Sequence, residues 1–123
     1  MSATVGNMSE RDIRQHLSEQ VRLAEMAWIA ADDNAGRLEE GKAIIRDEMV
    51  NNLLAEGIEK SAAAAERSAR TSTQFKGYIR KMHDARRLAN EAKATSRALD
   101  RDYWIAASQE ASERAQMRMA GAR

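Results

Sequence analysis

Residues 17–38 read LSEQVRLAEMAWIAADDNAGRL, and the placing of the apolar residues in this stretch decides the fold. Leu17, Val21, Ala24, Trp28, Ala31, Ala35 and Leu38 recur at alternating intervals of four and three. That is the seam of a helix that packs lengthwise against another helix. Downstream the seam is interrupted at Lys42 and resumes with Ile45, Met49 and Leu53. Upstream, Ser9 has the character of an N-cap, with Asp12 as the acidic partner of a capping box and Met8 with Ile13 at staple spacing. The reading is one long helix over residues 9–56, preceded by a disordered leader over 1–8.

The weak place in this helix is Asp32-Asp33-Asn34-Ala35-Gly36, with a second glycine at Gly41. Each glycine costs up to about 1 kcal/mol relative to alanine. A kink or break would fall there, but the seam keeps its phase on both sides, which favours continuity. Gly57 followed by Ile58 has the form of a helix stop, with glycine in the left-handed position and Ile58 folding back onto Leu53 or Leu54.

A connector over 58–70 follows, with a short alanine-rich helix from Ser61 to Arg70. In Thr71-Ser72-Thr73-Gln74 several hydroxyls are placed to cap, and Gln74 to close a box with Thr71. The second long helix spans 72–119, its seam carried by Phe75, Tyr78 or Ile79, Met82, Ala85, Ala89, Ala92, Ser96, Leu99, Tyr103, Ala106 and, more weakly, Met117. Composition agrees with an all-α chain. There is no proline, only 6 of the 123 residues are glycine, and no stretch alternates apolar with polar in the manner of a strand.

Two long helices of roughly 47 residues, about 70 Å each at 1.5 Å per residue, around a short connector imply a single domain built as an antiparallel helical hairpin. Meeting ends at Glu56 and Thr73 would set Glu39 beside Arg86, Asp32 beside Arg97, and Trp28 near Tyr103 and Trp104. Two helices do not enclose a core. Met26, Ile29, Ile44, Leu54, Leu88, Trp104 and Ile105 fall outside the narrow seam and would form a second apolar stripe. It is covered either by a second copy, giving a homodimeric four-helix, coiled-coil-like bundle, or by the short segment folding back.

Charge is nearly balanced overall, 20 basic against 19 acidic side chains, but unevenly distributed. Met1–Lys60 carries 7 Lys and Arg against 12 Asp and Glu, whereas Ser61–Arg123 carries 13 against 7. Such halves suit elements lying side by side. Cysteine is absent, which removes thiolate chemistry and Cys-based zinc sites. The longest apolar run, Met26–Ala31, is far short of the roughly 20 residues of a membrane span. No basic n-region with an apolar core opens the chain, so a cytoplasmic location in a bacterial host cell and no membrane contact are expected.

Residues able to carry chemistry are few. His16 and His83 are the only histidines, and neither a nucleophile elbow nor a phosphate-cradling glycine loop is present. The nearest approach to a metal site is His16-x-x-Glu19 with Glu110-x-x-Glu113, levelled by the hairpin register. Di-metal bundles draw such pairs from four helices, and here only two contribute. No enzyme activity, no cofactor and no metal are expected. The densest basic region contains Arg80, Arg86, Arg87, Lys93, Arg97 and Arg101. It either neutralises nucleic-acid phosphates, with salt-sensitive affinity, or answers the acidic first helix. The second reading is favoured, because Asp84, Glu91 and Asp100 interrupt the region and its aromatics fall on the seam.

The long first helix, the break Glu56-Gly57-Ile58-Glu59, the Ala/Glu/Arg-rich short segment, and a second helix carrying Tyr78 and ending Glu113-Arg114-Ala115-Gln116-Met117-Arg118 together resemble small helical accessory proteins of tailed phages and prophages. Such proteins are often encoded beside single-strand annealing recombination genes or among early genes that counter host defences. The resemblance covers roughly residues 10–118 and is one of helical layout. It implies a protein that binds a protein target, as an anti-CRISPR-like inhibitor of a defence complex or as a recombination mediator, and it assigns no functional residue.

Overall fold

Helix starts and stops are set by a few side chains, each satisfying backbone groups that a helix end leaves without partners. In the computed structural model, which describes residues 9–121, the Ser9 hydroxyl accepts from the Asp12 N–H at 3.2 Å and opens α1 (Glu10–Ala55). The expected leader over 1–8 and the Met8 half of the staple lie outside the described residues. α1 runs unbroken through Asp32–Gly36. It ends where Gly57 takes φ +73°, with the Gly57 N–H on the Leu54 carbonyl at 3.2 Å and the Ile58 N–H on the Leu53 carbonyl at 3.1 Å. These are the two bonds of a Schellman stop.

The Ser61 hydroxyl accepts from the Ala64 N–H at 3.2 Å and caps α2 (Ala62–Thr71). Ser72 then serves two helices at once. Its hydroxyl donates to the Ala69 carbonyl at 2.7 Å and accepts from the Phe75 N–H at 3.1 Å, closing α2 and opening α3 (Thr73–Gly121). The expected Thr71–Gln74 box does not form. Thr71 is still inside α2, and its hydroxyl bonds back to the Arg67 and Ser68 carbonyls. Among the described residues the chain is all-helical, with two long helices and one short, and no helix is long and apolar enough to cross a membrane.

The chain divides into two compact units, Ile29–Asn90 and Met1–Trp28 with Glu91–Arg123. In the Ile29–Asn90 unit, α1 and α3 run antiparallel through small side chains. Ala35, Ala85 and Ala89 form a buried cluster, with Ala31 and Leu38 packed on it. Phe75 and Met82 extend the core along α3, and α2 contributes Ala65 and Ala69. The register differs from the one expected from ends meeting at Glu56 and Thr73. Arg86 holds both Asp32 and Glu39, so Asp32 is not left for Arg97, and the Ser72 hydroxyl sits 3.9 Å from the Met49 sulfur. The reason is that α1 runs on past the start of α3. Its Asn52 and Leu53 line a cleft together with Ser68 and Ala69 of α2, so the last turns of α1 meet the short helix instead.

The same unit explains Gly41. The Tyr78 hydroxyl donates to the Leu38 carbonyl and lies 2.7 Å from where a Cβ on Gly41 would stand. The glycine therefore makes the slot that receives the tyrosine, and Lys42 beside it stays exposed. Gly36 has nothing within 4 Å of its Cβ position. Urea unfolding should therefore show Gly36→Ala stabilising the chain by up to about 1 kcal/mol, while Gly41→Ala destabilises it. Tyr78→Phe added to Gly41→Ala should restore most of that loss, because it removes the clashing oxygen.

In the unit formed by Met1–Trp28 and Glu91–Arg123, the seam of α1 (Leu17, Val21, Ala24, Trp28) and that of α3 (Ala92, Leu99, Tyr103, Ala106) are only half-buried. Ser96 alone among the described residues of this unit is fully buried. Lys93 lies over the Trp28 ring at 5.6 Å, in the place expected for Tyr103 and Trp104, which instead pack edge-to-face with one another at 5.4 Å. Met117, read as a weak continuation of the seam, is exposed. It stands in the stretch from Ala111 to Gly121, where every α3 residue is exposed.

Candidate interaction surfaces

The basic side chains of α3 are not equally available. Arg86 is half-buried and grips Glu39 with two bonds, Nε–Oε2 at 3.0 Å and Nη2–Oε1 at 2.6 Å, while Nη1 reaches Asp32 Oδ1 at 2.7 Å. A two-pronged guanidinium–carboxylate contact is the strong form of an ion pair. It holds the Glu39 carboxyl below the ordinary value of 4.5 and raises the Arg86 guanidinium further above its own. Lys93 is half-buried on Trp28. These two of the six candidate contacts thus hold helices together within their units. Arg80, Arg97 and Arg101 have exposed side chains, as does Arg87, which takes part in an interaction of its own.

The seven apolar candidates, Met26, Ile29, Ile44, Leu54, Leu88, Trp104 and Ile105, are all exposed, and α2 covers none of them. Their spacing does not gather them into one stripe. Neighbours on an α-helix differ by about 100°, so Trp104 and Ile105 leave α3 on opposite sides of its seam. Leu23, which the periodicity did not single out, is exposed as well. The signal that finds it is its place beside the seam residue Ala24, on the flank shared with Ala27.

Past Leu17 and Ala106, ions replace apolar residues at the seam positions. Arg14 bonds Glu110 at 2.9 Å, and Glu10 and Glu113 share a hydrogen bond that raises the Glu10 carboxyl above 4.5. With Ile13, Ala106 and Gln109 these glutamates line a shallow cleft of about 140 Å³. The residues of the considered metal site do not converge. His16 meets Gln20 at 3.1 Å, Glu19 bonds Arg22, and Glu110 is taken by Arg14. Among the described residues no group of three or more His, Asp or Glu is placed to hold a metal ion. A second cleft, of about 380 Å³, lies where α1, α2 and α3 meet, with Met49, Leu53 and Ile58 as apolar walls and Asn52, Ser68, Ser72 and Gln74 at its rim.

Comparison of the chain with protein-family models, with curated proteins and with solved structures finds no match to any of them.

The two perturbed carboxylates respond to pH in opposite senses. A lowered carboxyl, Glu39, contributes stability above its unfolded value of 4.5 and loses it as pH falls through the lower folded value. A raised one, Glu10, contributes below 4.5 and loses it as pH rises through the higher folded value. A carbon-detected carboxyl titration should place the Glu39 midpoint below 4.5 and the Glu10 midpoint above it. Arg86→Gln should return Glu39 towards 4.5 and leave Glu10 unmoved.

Proposed function

We propose that the chain is a non-enzymatic accessory factor that binds a protein target through exposed helical surface and works as a homodimer. The layout resemblance to phage and prophage accessory proteins suggests an inhibitor of a bacterial defence complex or a recombination mediator. The observation that carries the reading is the set of large apolar side chains left in water, with Trp104 61% exposed beside Tyr103. Aromatic anchors of this kind dominate the energetics of protein interfaces.

The runner-up is a weak nucleic-acid binder using Arg80, Arg87, Arg97 and Arg101 on α3. Arg86 and Lys93 are poor probes of it, since reversing either charge also breaks a contact that holds α1 to α3. Arg97→Glu with Arg101→Glu is the cleaner test. If nucleic acid is the partner, the double variant lowers affinity, and affinity falls steeply with salt.

Under the favoured reading, immobilised protein retains a discrete protein target from bacterial extract through nuclease treatment and moderate salt. Trp104→Ala weakens that retention by roughly 30-fold, the loss of a hot-spot residue worth about 2 kcal/mol. Retention that disappears with nuclease, or that is indifferent to Trp104, contradicts it.

A further inference from the structure

The unit formed by Met1–Trp28 and Glu91–Arg123 buries Ser96 and, among its described residues, no apolar side chain fully. Its two flanks differ in chemistry. In an antiparallel helix pair, the residues that follow the seam on one helix lie beside those that follow it on the other, and the remaining two rows share the opposite flank. One flank of this unit carries Arg22 and Glu25 of α1 with Lys93, Arg97, Asp100 and Trp104 of α3. The other carries Leu23 and Ala27 of α1 with Thr95, Ala98 and Ile105 of α3. Met26 borders this second flank, and Asp102 is its one charge between Glu91 and the level of His16. Leu23 is 52% exposed, Met26 55% and Ile105 51%.

We infer that this nearly uncharged flank is where a second copy of the chain seats, so that two such units complete one core. Three observations select a copy of the chain as the occupant. An interface between identical copies about a twofold axis brings the same patch together from both sides, and a patch whose one charge is Asp102 brings few charges into that contact. The short side chains Ala27, Thr95 and Ala98 leave room for a facing helix to come close, as the alanines Ala35, Ala85 and Ala89 do in the other unit. The Thr95 hydroxyl is no obstacle, because on a helix it can bond back to a carbonyl of the preceding turn. Surface supplies the third. Leu23 and Ile105 of this flank and Met26 at its border are each more than half exposed, and a facing copy removes that apolar area from water twice, once from each side.

This inference rests on the homodimer of the proposed function and adds which face forms it. Sedimentation equilibrium of the full chain tests both separately. The wild-type chain should reach twice 13.7 kDa. Leu23→Glu with Thr95→Glu, both at exposed positions, should weaken the dimer at least about 100-fold while circular dichroism stays helical. Trp104→Glu, on the opposite flank, should leave the dimer constant within about threefold. Ala27→Cys, in a chain with no cysteine of its own, should be joined to its copy by a short bifunctional maleimide, and Arg22→Cys should not. A wild-type chain that stays at 13.7 kDa at every concentration overturns the homodimer itself. A dimer that survives the Leu23 and Thr95 changes, or that dissociates on Trp104→Glu, overturns the assignment of the flank alone.

Discussion

Everything in the Ile29–Asn90 unit follows from how closely α1 and α3 approach through alanine. With Ala35, Ala85 and Ala89 in the seam, the two backbones come near enough for the Tyr78 ring to span the gap and reach the Leu38 carbonyl. That reach requires a residue without a side chain at Gly41. It also brings Arg86 within bonding distance of two carboxylates one pair of turns apart on α1. Close approach has a consequence for stability. An alanine buries one methyl group, and each buried carbon contributes only about 0.8 kcal/mol, so a seam of alanines gains less from water exclusion than one of leucines. The larger Phe75 and Met82, and the α2 alanines Ala65 and Ala69, supply the remaining burial in this unit.

The other unit has the same seam without that supplement. Its α1 and α3 segments are joined by half-buried residues, and past Ala106 the seam passes into the Arg14–Glu110 pair and the Glu10–Glu113 contact. An ion pair at a partly exposed helix end contributes little. The unit therefore keeps mainly apolar side chains on one flank and charged ones on the other, an arrangement suited to docking. We propose that function resides in surface that the unit cannot bury by itself, with one flank serving a second copy and Trp104 on the opposite flank left for a different partner.

Much of this was legible in the residues themselves. The three-and-four spacing of Leu17 through Leu38 announced a continuous helix, and Gly57-Ile58 announced its end, because both depend on local geometry alone. Register was not legible. It depends on how far α1 continues beyond the start of α3, where the last turns of α1 meet α2 and Asn52 and Leu53 line a cleft with Ser68 and Ala69, a tertiary contact with no local signal. In the other unit the partner of Trp28 is likewise not the expected aromatic pair but Lys93. Among candidate contacts, charge density singled out Arg86 together with Arg97 and Arg101. Spacing alone could not separate the arginine that clamps Asp32 and Glu39 from those facing solvent. Leu23 carries no signal of its own because the seam beside it is so regular, and its flank emerges only when both helices are laid side by side.

The claim at the centre is that one chain leaves its apolar surface unfinished and a second copy completes it. Thermal unfolding followed at increasing protein concentration tests this most directly, since a state stabilised by association gains stability by mass action. A midpoint that climbs steadily with concentration is the predicted result. A midpoint that stays fixed across the whole range would mean that each chain is already complete by itself.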